Sequence, residues 1–141
     1  MTMPGIPYQG FQTIGEIVAT NSVKFRAEET VSGAAIELLS NHLSGAPVVS
    51  ENNELLGFIS EIDVLKVADS NRDPSLTKVT EIMNPEPIFV DTTTSISDAH
   101  KLLAEYHILV LPIVHNGQVI NSVTRHDLLR AFIGIGLGVE D

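Results

Sequence analysis

The sequence predicts a mixed α/β (α+β) fold made of one unit written twice, each unit running strand, helix, strand, strand, helix. Three observations carry this. Residues 107–130 read HILVLPIVHNGQVINSVTRHDLLR: an apolar run of strand length at 111–114, the hairpin dipeptide Asn116-Gly117, a return run at 119–123, then helical spacing through Leu128, Leu129, Phe132 and Ile133. Residues 42–66, HLSGAPVVSENNELLGFISEIDVLK, follow the same order about 65 residues earlier. His42 matches His107 and Pro47 matches Pro112; past a turn one residue longer, Ser60 matches Thr124, Asp63 matches Asp127 and Leu65 matches Leu129. The match also extends upstream, pairing Glu16-Ile17 with Glu81-Ile82, Val31 with Ile96, Ala34 with Ala99 and Leu38 with Leu103. One such unit is too small to bury its own sheet, so the two are expected to pack about a pseudo-two-fold and share a core.

Taken in order, residues 1–13 carry Pro4, Gly5, Pro7 and Gly10 and read as an irregular arm. The first unit spans 14–69. It has a helical turn at 14–18, a strand at 23–26, and a helix from the N-cap Thr30 to Asn41 with Val31, Ala34, Ala35, Leu38 and Leu39 at helical spacing. A hairpin over 46–60 and a helix over 61–68 complete it. The polar stretch SNRDPSLTK, 70–78, is the linker. The second unit, 79–134, repeats the order: a helical turn at 79–83, the rigid Asn84-Pro85-Glu86-Pro87, a strand at 88–90, and a helix opened by Ser95-x-x-Asp98 and running to Tyr106. The glycine-punctuated tail, 135–141, follows the last helix. His42 and His107 fall at helix ends, where a donor favours the exposed carbonyls.

Composition excludes several function classes. The 141 residues contain no cysteine, which removes disulfides, thiolate catalysis and cysteine-based zinc sites. A formal net charge of −10 argues against a nucleic acid polymer or an anionic membrane as partner. The N-terminal MTMPGIPYQG lacks the basic region and apolar core of a signal peptide, and the apolar stretch near 131–139 is too short to span a bilayer. A cytoplasmic protein is therefore expected. The five histidines lack metal-ligand spacing. Gly134-x-Gly136-x-Gly138 follows a helix, whereas a phosphate loop follows a strand and opens one. No nucleophile elbow or Cys-His pair appears, so no enzyme activity, cofactor or metal is expected.

The segments EIM, PIFVDTTTSISDAHKLL, HILVLPIV and GQVINSVTRHDLLRAF, together with LSGAPVVSENNELLGFISEIDVLK in the first unit, resemble the cystathionine β-synthase (CBS) domain. A tandem pair of these is a Bateman module. The resemblance runs from about Ile14 to Phe132, and its strength lies in the order, spacing and duplication of the motifs. It implies a stand-alone regulatory module that binds an adenosyl ligand (AMP, ADP or ATP, with S-adenosylmethionine possible), forms a homodimer and reports to a regulated protein partner.

The family's nucleotide signature is Ser or Thr, two residues, then Asp, at the last strand-to-helix junction. Here it is Ser60 with Asp63 and Thr124 with Asp127. A cap hydroxyl beside free helix N–H groups suits a phosphate, and a carboxylate can accept both hydroxyls of a ribose. The same residues are also a helix-capping device that needs no ligand, and the two readings are compatible. In the family the pocket crosses the repeats. Carried over, Thr124, Arg125, His126 and Asp127 face Val18, Val23, Leu43, Ser44 and Gly45, while Ser60, Ile62 and Asp63 face Met83, Ile88, Ile108, Leu109 and Val110. The family's glycine three residues before the hydroxyl is present as Gly57 but replaced by Asn121 in the second unit. Arg125, His126 and nearby Arg130 set against Glu61 suggest that anionic nucleotides favour the Asp127 site. The competing function is a ligand-free dimerisation or protein-interaction module in which both Asp residues only cap. The helix faces expected to pair between chains carry Val31, Ala35, Leu38, Ile96, Ala99, Leu103, Val64, Val67, Leu128 and Phe132.

Overall fold

A computed structural model of the chain describes residues 12–133. The reading of 1–13 as an arm lies outside the described residues except at Gln12 and Thr13, and that of 135–141 as a tail lies wholly outside them. The described chain folds into two small sheets and four α-helices, in the predicted order. In the first sheet β1 (Phe25–Arg26) runs parallel to β2 (Gly45–Val49), which pairs antiparallel with β3 (Leu55–Ser60). The second sheet is the hairpin β4 (Val110–His115) and β5 (Gln118–Thr124). Asn116 and Gly117 turn it with φ of 53° and 79°, the left-handed pair that an Asn-Gly hairpin requires.

Each repeat contributes a long helix and a shorter one. α1 (Val31–Ser40) starts at Thr30, whose hydroxyl accepts the Gly33 N–H, and α3 (Ile96–Tyr106) starts at Ser95, whose hydroxyl accepts the Asp98 N–H. Both stop in the same way. His42 and His107 adopt left-handed φ of 54° and 53°. The next residue then donates its N–H five residues back, Leu43 to the Leu38 carbonyl at 2.9 Å and Ile108 to the Leu103 carbonyl at 3.1 Å. It is thus the histidine backbone, rather than a charged ring, that closes each helix. α2 (Glu61–Ala68) and α4 (Arg125–Ile133) follow β3 and β5 without an intervening loop.

Two elements differ from expectation. The strand expected at 23–26 is reduced to Phe25–Arg26, and 88–90 forms no strand. Val90 makes one isolated parallel bridge to Ile113, donating to the Pro112 carbonyl and accepting from Val114. Pro87 has no N–H to offer a ladder, and the Asp91 N–H turns aside to Thr94 Oγ1 at 2.9 Å. The stretch 70–78 is also more than a spacer. The α1 N–H groups of Val31 and Ser32 donate to the Thr77 and Pro74 carbonyls, satisfying donors that a helix start leaves open.

The two cores exchange their opening turns. Ile14 and Ile17, at the start of repeat 1, pack with Val90, Ala99, Leu103, Leu111, Ile113, Val123 and Ala131 of repeat 2. Val79, at the start of repeat 2, packs with Phe25, Ala34, Leu38, Ala46, Val48 and Ile59 of repeat 1, with Ile82 and Met83 alongside. Backbone bonds fix the exchange: Ile14 and Gly15 donate to the Thr94 and Thr92 carbonyls, and Val79 donates to the Glu29 carbonyl. The chain from each turn to its own sheet, 18–24 and 83–89, must therefore cross between the repeats.

Gly57 lies under one of these crossings. A Cβ there would strike Met83 Sδ and sit 2.7 Å from the Asn84 carbonyl oxygen, and the Phe58 and Asn84 backbones exchange two hydrogen bonds beside it. Gly57→Ala should therefore cost about 1–3 kcal/mol of stability, the range for forcing atoms into a filled site. Urea unfolding measures it, and an unchanged midpoint contradicts the close approach.

Candidate functional site

Both Ser/Thr-x-x-Asp motifs sit where a strand hands over to a helix. Ser60 caps α2: its Oγ accepts the Asp63 N–H at 3.2 Å, and Asp63 Oδ2 accepts both the Ser60 N–H and its hydroxyl at 2.9 Å. Thr124 does the same for α4. Its Oγ1 accepts the Asp127 N–H at 3.2 Å, and Asp127 Oδ2 accepts the Thr124 N–H at 2.9 Å. Both motifs therefore form the reciprocal cap. The first N–H of each helix is also bonded, Glu61 to the Ser44 carbonyl and Arg125 to the Leu109 carbonyl.

Beyond the cap the two carboxylates differ. Asp63 is half-buried and lines a cavity of about 360 Å³. The hydrogen bonds on its carboxylate fall on Oδ2, so among the described residues Oδ1 has no donor. Around it the cavity is walled by Ser60, Ile62, Ile88, Ile108, Leu109 and Val110, with Phe58, Pro87 and Asn84. Glu61, Ser44 and His107 also line it, so apolar walls meet two carboxylates, two hydroxyls and an imidazole, the mostly apolar lining with a few polar groups typical of small-molecule pockets.

Asp127 is fully buried. Its Oδ1 accepts the Thr20 hydroxyl at 2.7 Å and Arg130 Nη1 at 3.0 Å, and its Oδ2 accepts the Thr20 N–H at 3.2 Å besides that of Thr124. A second cavity, of about 710 Å³, lies beside it and is lined by Thr20, Thr124, Arg125, His126, His42, Leu43 and Ser44, but not by Asp127. The two cavities adjoin, because Ser44, Glu61, Leu109 and Val110 line both.

Of the residues expected at the Asp63 site, Ser60, Ile62, Asp63, Ile88, Ile108, Leu109 and Val110 come together, while Met83 packs against Gly57 and the first core. At the other site Thr124, Arg125, His126, Leu43 and Ser44 come together. Val18, Val23 and Gly45 do not line that cavity; Val23 packs on the first core, and the Gly45 carbonyl accepts Asn21 Nδ2. The residue missed from sequence is Thr20. Its signal lay in the repeat itself: at a shift of about 65 its counterpart is Pro85, which has neither hydroxyl nor N–H.

The family model for the CBS domain matches residues 14–70 and again 79–134. The chain belongs to the CBS domain family, as a tandem pair. A chloroplastic CBS domain-containing protein of Arabidopsis thaliana is 28% identical over 165 residues, covering 96% of this chain and 70% of its own length. Among solved structures, CBSX2 in complex with AMP is 28% identical with a TM-score of 0.76, over 89% of this chain and 98% of that one. A CBS domain pair in complex with 5′-methylthioadenosine and S-adenosyl-L-methionine shares the fold at 23% identity, with a TM-score of 0.75 over 89% of this chain and 99% of that one. No helix among the described residues is long and apolar enough to cross a membrane.

The unequal surroundings give an unequal cost of neutralising each carboxylate. Asp127→Asn removes the charge from a buried acceptor of four donors and should cost about 1.5–3 kcal/mol, the value for hydrogen bonds to a charged group. Asp63→Asn touches a half-exposed cap and should cost about 1 kcal/mol or less. Chemical unfolding of the two variants side by side checks the order; equal losses contradict it.

Proposed function

We propose that the chain is a regulatory module that binds an adenosyl compound in the Asp63 cavity and passes that occupancy to a protein partner. The observation that carries this reading is the half-buried Asp63 carboxylate, with an uncommitted oxygen, in an apolar-walled cavity of about 360 Å³ between the repeats. Asp63 would accept the ribose hydroxyls, Ile88 and Ile108 would flank the base, and Ser60 with the start of α2 would face the phosphate. AMP bound to CBSX2, a relative at 28% identity, supports the same ligand class here. The basic residues Arg125 and His126 had pointed to the Asp127 site as the better one for an anion; the accessibility of the carboxylates favours Asp63. No catalytic role is proposed. Calorimetry with AMP, ATP and S-adenosylmethionine tests the reading. Asp63→Ala should weaken binding roughly 10- to 150-fold, the equivalent of a hydrogen bond or two to a charged group. Unchanged affinity in a folded Asp63→Ala protein sinks the proposal.

The same module is proposed to act as a homodimer. Of the residues expected to pair between chains, Val31, Leu38, Val67, Ala99 and Leu103 are instead buried within the chain. Of that set Phe132 stays 83% exposed, and the other large apolar surface on the same helices includes Ile36 and Leu39 of α1, Ile62 and Leu65 of α2, and Leu129 of α4. Burying these between two copies would remove apolar surface unusual on a monomer. Light scattering at micromolar concentration should give twice the 15.2 kDa chain mass; the single-chain mass contradicts the dimer.

A further inference from the structure

We infer that Thr20 closes the second adenosyl site from within, so that each chain holds one adenosyl ligand, at Asp63. The inference rests on the functional reading above and assigns its stoichiometry and its determinant. Thr20 presents to Asp127 a hydroxyl at 2.7 Å and an N–H at 3.2 Å, one to each carboxylate oxygen. That is the pair of donors a ribose diol would present to such a group. Arg130 and the Thr124 N–H occupy the same two oxygens, and the carboxylate is wholly removed from solvent. A nucleoside entering the cavity beside it meets Thr20 and not Asp127.

The Thr20 segment is fastened on both sides, so the closure is more than a chance rotamer. Asn21 is buried; its side chain donates to the Gly45 carbonyl and accepts the Val23 N–H, both at 3.1 Å, and its carbonyl accepts the Ser122 N–H at 2.8 Å. Asn121 Nδ2 donates to the Ala19 carbonyl at 3.1 Å. At the corresponding places of the other site stand Pro85 for Thr20 and Gly57 for Asn121. Proline can donate nothing and glycine has no side chain, so neither can reproduce the Thr20 contacts or the Asn121 tie. The two repeats thus carry the same carboxylate but opposite fittings around it.

AMP titrated calorimetrically into the full chain tests this. The wild type and Thr20→Ser, which keeps the hydroxyl, should bind one AMP per chain, lost in Asp63→Ala and kept in Asp127→Asn. Thr20→Ala and Thr20→Pro, the latter giving repeat 1 the residue of repeat 2, should each bind a second AMP, which adding Asp127→Asn then removes. Circular dichroism establishes that each variant is folded, and one folded Thr20 variant suffices. Two AMP per wild-type chain, or one AMP in a folded Thr20→Ala or Thr20→Pro protein, overturns the inference and leaves the Asp63 site standing. No AMP bound by the wild type overturns both the functional reading and the inference.

Discussion

The exchange of opening turns is the constraint on which the rest of the structure depends. Ile14 is 1% exposed in the second core and Val79 is fully buried in the first, so each repeat lacks a filled core without the other. Burying an aliphatic side chain of this size contributes about 1.5–3 kcal/mol, a large share of the margin of a small domain. The exchange also forces residues 18–24 and 83–89 to cross from one repeat to the other. Each crossing passes the end of a sheet where a helix begins, and there a cap hydroxyl, a carboxylate and cross-repeat backbone come together. The candidate sites are consequences of how the cores are shared.

From that common plan the repeats diverge through a few side chains. At the crossing 83–89 the chain offers Asn84, Pro85 and Pro87, which leave Asp63 to its own helix cap and the cavity. At the crossing 18–24 it offers Thr20, which bonds to Asp127, and Asn21, which bonds to Gly45 of β2 and Ser122 of β5. The hydrogen-bonded Asp127 carboxylate is fully buried, where each donor counts for more than in water. On the proposed reading the two duplicated carboxylates divide their tasks, Asp63 serving ligand chemistry and Asp127 stability.

Much of this was legible in the sequence. The repeat, the Asn-Gly hairpin, the Thr30 and Ser95 caps and the Ser/Thr-x-x-Asp junctions are local signals, and the structure places them where residue spacing put them. The strand at 88–90 was misread because an apolar run says nothing of where its N–H groups go, and Asp91 turns its own to Thr94. The turn exchange was illegible because Ile14 and Val79 are equally apolar in either core. The closure of Asp127 was overlooked for a related reason. Charge near a motif is visible in sequence, whereas Thr20, 107 residues from Asp127, becomes a partner only through the crossing.

A crystal structure of the chain grown with AMP would show which carboxylate holds the ribose. The ribose should lie on Asp63 and the base between Ile88 and Ile108, with Thr20 still bonded to Asp127. AMP seated on Asp127 with Thr20 displaced, and the Asp63 cavity without nucleotide, would contradict it.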